Sequence, residues 1–275
     1  MKIIIIPPYR RAGVNYDPKE GHYQVREIIK NMRRKGQLEG VEIDIDDGAP
    51  TDHEGVNRDE EVLAYITPGF LKRVKEVSEL GRYDAIATSG AIEPGFFAGR
   101  MISRIPIAFC VHSAVHVASL IGDRFTIIQH HDPGALIVRH CVALYGLGQK
   151  LASVRYVTRP SDFPQGFMWR YGLLHEKEQR TKVPEVKKLI NAIVDTCIKA
   201  IEDDGVDSLI LGGPYFELLE DEIRQALDEA GYNEIQLISE LASAVEVAKA
   251  MVNMKLKQAP RAYPSYYLKA KPKFR

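Results

Sequence analysis

Two stretches of the chain repeat one pattern. Val206–Glu217 reads VDSLILGGPYFE and Tyr83–Gly95 reads YDAIATSGAIEPG. In each, an Asp is followed by an apolar run and then by a Gly six positions on, Asp84 to Gly90 and Asp207 to Gly213. Short apolar runs closed by Gly mark parallel strands buried on both faces, and ligands in open α/β sheets bind beyond the carboxyl ends of such strands. Two matched strand ends imply two lobes facing one cleft.

The rest of the chain alternates strand and helix. Strands are expected at Lys2–Ile6, Val41–Ile45, Asp84–Thr88, Pro106–Cys110, Arg124–Gln129, Ser153–Val157, Asp207–Leu211 and Glu234–Ile238. Helical spacing of apolar residues predicts helices between them, among them Tyr23–Arg34, Glu60–Leu80, the segment VHSAVHVASLIGD, Pro184–Asp203 and Leu241–Met254. A break is expected near Thr67-Pro68, because the residue before a proline is pushed out of the helical region. Arg159–Lys182 follows no readable period. Repeated strand–helix alternation predicts an α/β fold of two pseudo-symmetric Rossmann-like lobes with parallel sheets and an interlobe cleft. Residues 1–104 are expected to form the first lobe, completed by about 235–254, and 105–234 the second. Residues 255–275 form a basic, Tyr-rich extension that either wraps a neighbouring surface or stays mobile.

Composition narrows the function. Lys+Arg and Asp+Glu both number 37, so no net field draws in nucleic acid and nothing marks a membrane surface as partner. The opening MKIIIIPPYRRAG has four isoleucines before a Pro pair, too short for a signal peptide's apolar region or a membrane span, and a cytoplasmic protein is expected. Cys110, Cys141 and Cys197 are widely spaced, which argues against a disulfide framework or a zinc ribbon and for buried, inert thiols.

The segments YITPGFLKRVKEVSELGRYDAIA, GDRFTIIQ, YGLGQKLASVR, AIEDDGVDSLILGG and LASAVEVAKAM resemble, in order and spacing, the aspartate/glutamate/hydantoin racemase superfamily. The likeness is greatest to its hydantoin and allantoin racemase branch and covers most of Lys2–Met254. The resemblance implies two pseudo-symmetric lobes with the substrate between them, assembly as a homo-oligomer, and one cysteine at the end of each matched strand. One thiolate takes the α-proton from one face while the other thiol supplies a proton on the opposite face. In this chain the matched positions are Gly90 and Gly213, and neither moves a proton. None of the three cysteines follows a matched strand. What the resemblance then implies is a non-thiol enzyme acting by proton transfer on a small carboxylate or hydantoin-like cyclic amide, as an isomerase or a related lyase or hydrolase. The alternative is a non-catalytic small-molecule-binding or accessory protein on the racemase scaffold.

Other residues must then carry any chemistry. Backbone N–H groups at Ser89-Gly90 and Gly212-Gly213 can cradle an anion such as a carboxylate, or the glycines serve only tight turns. By the resemblance, His112 faces the cleft, and His130 falls where the racemases hold substrate with a hydroxyl. With His131 and Asp132 nearby, His112 and His130 either bind a divalent transition metal (zinc, iron, nickel or manganese) or act as a metal-free acid/base pair. Their ordinary alternative is a helix-surface or loop histidine. Tyr215 and Tyr9 are the best-placed phenols, to donate to a substrate carbonyl or to cap the cleft. The catalytic candidates are thus His112, His130 and Tyr215. The expected substrate lining is Tyr9, Ser89, Gly90, Ala91, Gln129, Gly212, Gly213 and Pro214. Glu93 and Glu217 are read as carboxylates at the first turns of the helices they enter.

Overall fold

The computed structural model describes residues 1–10, 22–51, 60–90, 92–129, 132–157 and 182–264. Its central strands are buried and mostly apolar, as burial on both faces favours. Strands β1 (Lys2–Ile6), β2 (Glu42–Ile45), β3 (Ala85–Thr88) and β4 (Ile107–Ala108) form one parallel sheet in the order β2-β1-β3-β4. Strands β5 (Phe125–Gln129), β6 (Leu151–Tyr156), β7 (Ser208–Leu211) and β8 (Gln236–Ser239) form a second parallel sheet in the order β6-β5-β7-β8. The two orders are the same, so β3 and β7 hold equivalent places.

The described helices are α1 (Tyr23–Arg34), α2 (Glu60–Glu79), α3 (Phe96–Ile102), α4 (Cys110–Ile121), α5 (Asp132–Leu144), α6 (Pro184–Asp204), α7 (Pro214–Leu218), α8 (Glu220–Glu229) and α9 (Glu240–Asn253). Two of them change lobes. Helix α4 leaves the first sheet, yet its Val111, Ala114, Val115 and Ala118 pack with Phe125, Ile127, Ile210 and Ile238 of the second. Helix α9 leaves the second sheet, and its Leu241, Ala244, Val245 and Ala248 pack with Ile3, Ile5, Ala85 and Ala87 of the first. Each core is therefore completed by a helix from the other lobe. Burying one such aliphatic side chain contributes about 1.5–3 kcal/mol, so pulling the lobes apart would expose several of them at once.

The repeated Asp has a structural cause at the opposite end from the cleft. Asp84 Oδ2 accepts the Lys2 N–H at 2.6 Å, fastening β3 beside β1. Asp207 Oδ2 accepts the N–H groups of Asp123 and Arg124 at 2.6 and 2.8 Å, fastening β7 beside β5. These are the amino ends of the strands.

Two local expectations are corrected. Helix α2 runs unbroken through Pro68, because Val62, Ile66, Phe70, Val74 and Val77 keep one buried face across the site and outweigh the missing N–H. Strand β4 is only two residues long, so Cys110 opens α4 rather than ending a strand. Beyond α9 the described part of the tail is docked. The Gln258 carboxamide accepts the Ile107 N–H at 3.2 Å and donates to the Ile107 carbonyl at 2.8 Å, closing the open edge of β4 as a strand would. The Arg100 guanidinium lies 4.4 Å from the Tyr263 ring centroid. Among the described residues no helix is long and apolar enough to cross a membrane.

Candidate active site

Both carboxyl ends of the matched strands turn on glycine with positive φ. Gly90 has φ 94° after β3, and Gly213 has φ 86° and ψ 154° after β7. An L side chain is strained at either value. A Cβ at Gly90 would rest 3.4 Å from the Pro8 ring, so space remains there and only the backbone objects. Gly212 is different, because a Cβ would stand 2.6 Å from Gln129 Cδ and 2.7 Å from the Ile128 carbonyl. The second turn lies hard against the end of β5.

Each turn leads to a buried carboxyl that holds the start of one lobe-changing helix. Glu93 Oε1 accepts the His112 N–H at 3.1 Å, the Val111 N–H also donates to this carboxyl, and the Tyr145 hydroxyl donates to Oε2. Glu217 Oε2 accepts the Leu241 N–H at 2.9 Å and the Ser239 hydroxyl, and the Ala242 N–H donates as well. In both cases the second and third helical N–H groups, which have no intrahelical acceptor, are satisfied. Burial outweighs these donors, so each carboxyl is pushed up to about 7. The fully buried Cys110 thiol has its proton affinity raised by burial and then by Glu217, Glu240 and Glu93. The polar groups of both turns thus converge around the N-termini of α4 and α9.

The predicted site residues fall into three groups. Ala91, His130 and His131 lie outside the described residues. Ser89, Gly90, Gln129, Gly212, Gly213 and Pro214 stand at the cleft ends of β3, β5 and β7. There Ser89 N donates to the Ile6 carbonyl at 3.3 Å, and Gly212 N to that of Ile128 at 2.8 Å. Gly213 N donates to Glu240 Oε2 at 3.0 Å. The amides of Gly212 and Gly213 are thereby engaged by the protein itself, whereas the sequence suggested they were open to an anion. Tyr9 packs partly buried against Val62, Ile66, Ile92 and Ile137, an apolar seam between α2 and α5.

His112 and Tyr215 are both closely packed. The His112 ring is stacked among Phe96, Tyr145 and His116, with centroids 5.0, 5.0 and 4.2 Å away. Burial, then the neighbouring His116 and Arg100, push it down to about 3, so it stays neutral through the physiological range and is a weak base. Tyr215 is 2% exposed and belongs to the core of the second lobe with Phe216, Leu218 and Tyr23. Among the described residues no three His, Cys, Asp or Glu side chains come together as a metal-binding group, so the metal expectation has no donor set there. Glu93 and Glu217, read from the sequence as first-turn carboxylates of the helices they enter, instead cap α4 and α9. The available signal was an acidic residue soon after each strand-end glycine, three positions beyond Gly90 and four beyond Gly213.

Two parallel sheets of the same strand order, interlocked by exchanged helices and carrying equivalent strand-end turns, define a two-lobed α/β protein. No family model matches the chain. It is 25% identical over 189 residues to a hydantoin racemase of Rhizobium meliloti, spanning 69% of this chain and 68% of that protein. Its fold is similar to that of the allantoin racemase from Klebsiella pneumoniae, with a TM-score of 0.70, 19% identity, and 96% of this chain and 93% of that one covered. The allantoin racemase from Pseudomonas fluorescens gives a TM-score of 0.70 at 19% identity, covering 100% of this chain and 99% of that one. The chain is thus similar in sequence to a hydantoin racemase and in fold to allantoin racemases, in line with the resemblance of its segments to the aspartate/glutamate/hydantoin racemase superfamily.

Proposed function

We propose that the protein is an enzyme of this superfamily that transfers a proton on a small carboxylate or hydantoin-like cyclic amide without thiols at the two strand ends. It would act as an isomerase or a related lyase or hydrolase. The observation that supports it is the pair of turns: the residue matched to each racemase cysteine is glycine, and beyond each stands a buried carboxyl lifted to about 7. Proton transfer at a carbon beside a carbonyl works best with groups that titrate near the operating pH. Glu93 and Glu217 meet that condition, one at each turn, whereas His112 does not and His130 lies outside the described residues. The substrate class comes from the relatives, a hydantoin racemase and two allantoin racemases.

Deuterium exchange tests the proposal. The protein is incubated in D2O with a 5-substituted hydantoin, and the ring C–H is followed by NMR together with optical rotation, before and after iodoacetamide. Protein-dependent exchange that survives alkylation is the expected result. No exchange above the blank across cyclic amides and small carboxylates would sink the enzyme reading, and loss of exchange on alkylation would return the chemistry to a thiol. A binding or accessory role is favoured by one observation, that both carboxyls are occupied as helix caps. It predicts ligand binding without exchange. A homo-oligomer, as the resemblance implies, and a cytoplasmic setting belong to the same proposal, and light scattering of the purified chain tests the first.

A further inference from the structure

Two imidazole rings on α4 take no part in either strand-end turn. His112 and His116 stand one helical turn apart, so their side chains share a face, and the ring centroids lie 4.2 Å apart at an interplanar angle of 36°. It is not the face that packs into the second lobe, which is made by Val111, Ala114, Val115 and Ala118. Both histidines are partly exposed, and Leu120, the next residue along their face, is 83% exposed, so this side of the helix opens to solvent. The His116 Nδ1–H donates to the His112 carbonyl at 2.7 Å, which leaves the lone pair of Nε2 free. Neither ring nitrogen of His112 has a hydrogen-bond partner among the described residues, and none of these free nitrogens is sealed from solvent.

We propose that His112 and His116 form a two-nitrogen chelate for a late divalent transition metal of the zinc and copper class, outside the strand-end turns. Imidazole nitrogen suits these ions, and two histidines one turn apart on a helix reach a single ion. A metal-binding histidine commonly gives its other ring N–H to a backbone carbonyl, which fixes the tautomer and the ring, and the bond from His116 to the His112 carbonyl does this. The rings of Phe96 and Tyr145, with centroids 5.0 Å from that of His112, hold it in place, so little side-chain freedom is left to lose on binding. No third His, Cys, Asp or Glu joins the pair among the described residues, and water fills the ion's remaining positions. Burial of His112 and the nearby Arg100 both oppose positive charge there, which makes the ion exchangeable rather than a fixed part of the fold.

Calorimetric titration of the chelator-stripped full chain with zinc chloride tests the chelate. The chain has eight histidines, so the site is assigned by variants and by NMR. His116→Gln removes one of the two donors and is expected to weaken zinc by at least about tenfold, the lower end of what disturbing a metal's ligand shell costs. His112→Phe keeps a ring beside Phe96 and Tyr145 and should weaken zinc alike, whereas His140→Gln, at an exposed position on α5, should leave this binding unchanged. A second readout needs no variant. Copper(II) added below one equivalent to 15N-labelled wild type should broaden the amide signals of residues 112–116 before others, because paramagnetic broadening falls steeply with distance. No zinc binding, zinc affinity unchanged in both folded variants, or copper broadening that spares residues 112–116 overturns the inference. None of these measurements involves turnover, so failure of the proton-transfer reading would leave the metal site standing, and failure of the metal site would leave that reading untouched.

Discussion

Replacing either buried capping carboxyl should remove a defined part of the pH dependence of stability. Glu93 and Glu217 are 5% and 2% exposed, and burial lifts each from 4.5 to about 7. A carboxyl that titrates higher in the folded chain holds its proton better there. Its contribution is whole below about 4.5, falls away as pH rises, and is gone once pH passes about 7. At ~1.4 kcal/mol per tenfold change in proton affinity, each carboxyl accounts for about 3 kcal/mol of stability lost across that window. Glu217→Gln keeps an oxygen to accept the Leu241 N–H but cannot ionise. Urea unfolding of wild type and variant, followed by circular dichroism from pH 4.5 to 8, should give curves whose separation changes by about 3 kcal/mol, the variant gaining on wild type as pH rises. Glu93→Gln should behave alike, since its carboxyl caps α4 as Glu217 caps α9. Stability curves that run parallel for wild type and both variants would refute the idea that these carboxyls are held protonated by burial.

Other outcomes are equally specific. Gly212→Ala forces a Cβ to 2.6 Å from Gln129 Cδ and 2.7 Å from the Ile128 carbonyl, and since the second is sheet backbone the loss should be about 1–3 kcal/mol in the same urea assay. Native iodoacetamide should leave Cys110 and Cys197 unlabelled at neutral pH by mass spectrometry, because both are 0% exposed and burial raises both thiols; in urea both should label. Asp207→Asn weakens the acceptor for two backbone N–H groups and should cost about 1 kcal/mol at neutral pH. The Asp207 carboxyl titrates below its usual 3.8, so that difference should shrink as pH falls into the acid range. Removing residues 255–275 uncovers the Ile107 backbone that Gln258 pairs, and the open β4 edge should make the chain self-associate with concentration on size exclusion.

Much of this architecture is written locally. The Asp-strand-Gly repeat is legible because strand burial, the Asp fastening and the positive-φ turn each need a particular residue within a few positions of the others, and Asp84–Gly90 and Asp207–Gly213 satisfy all three. The chemistry of the site is not written that way. By the resemblance His112 is a cleft histidine, yet its proton affinity is set by Phe96, Tyr145, His116 and Arg100, which reach it from α3, from its own helix α4 and from the end of α5. Glu93 and Glu217 read as first-turn carboxylates of the helices beside them, but they cap α4 and α9, 18 and 24 residues further along by their nearest helical N–H partners, Val111 and Leu241.

The sequence by itself determined the alternation of strand and helix, the two matched strand ends and the glycines that stand there, since periodicity and backbone conformation depend on near neighbours. Only the tertiary structure decided that α4 and α9 exchange lobes, that two carboxyls are buried at their starts, and that Glu240 fills the amide of Gly213. Those facts turn on which surfaces meet when the chain packs. Desolvation and hydrogen bonding between residues far apart in sequence set the proton affinities, and no local pattern records them.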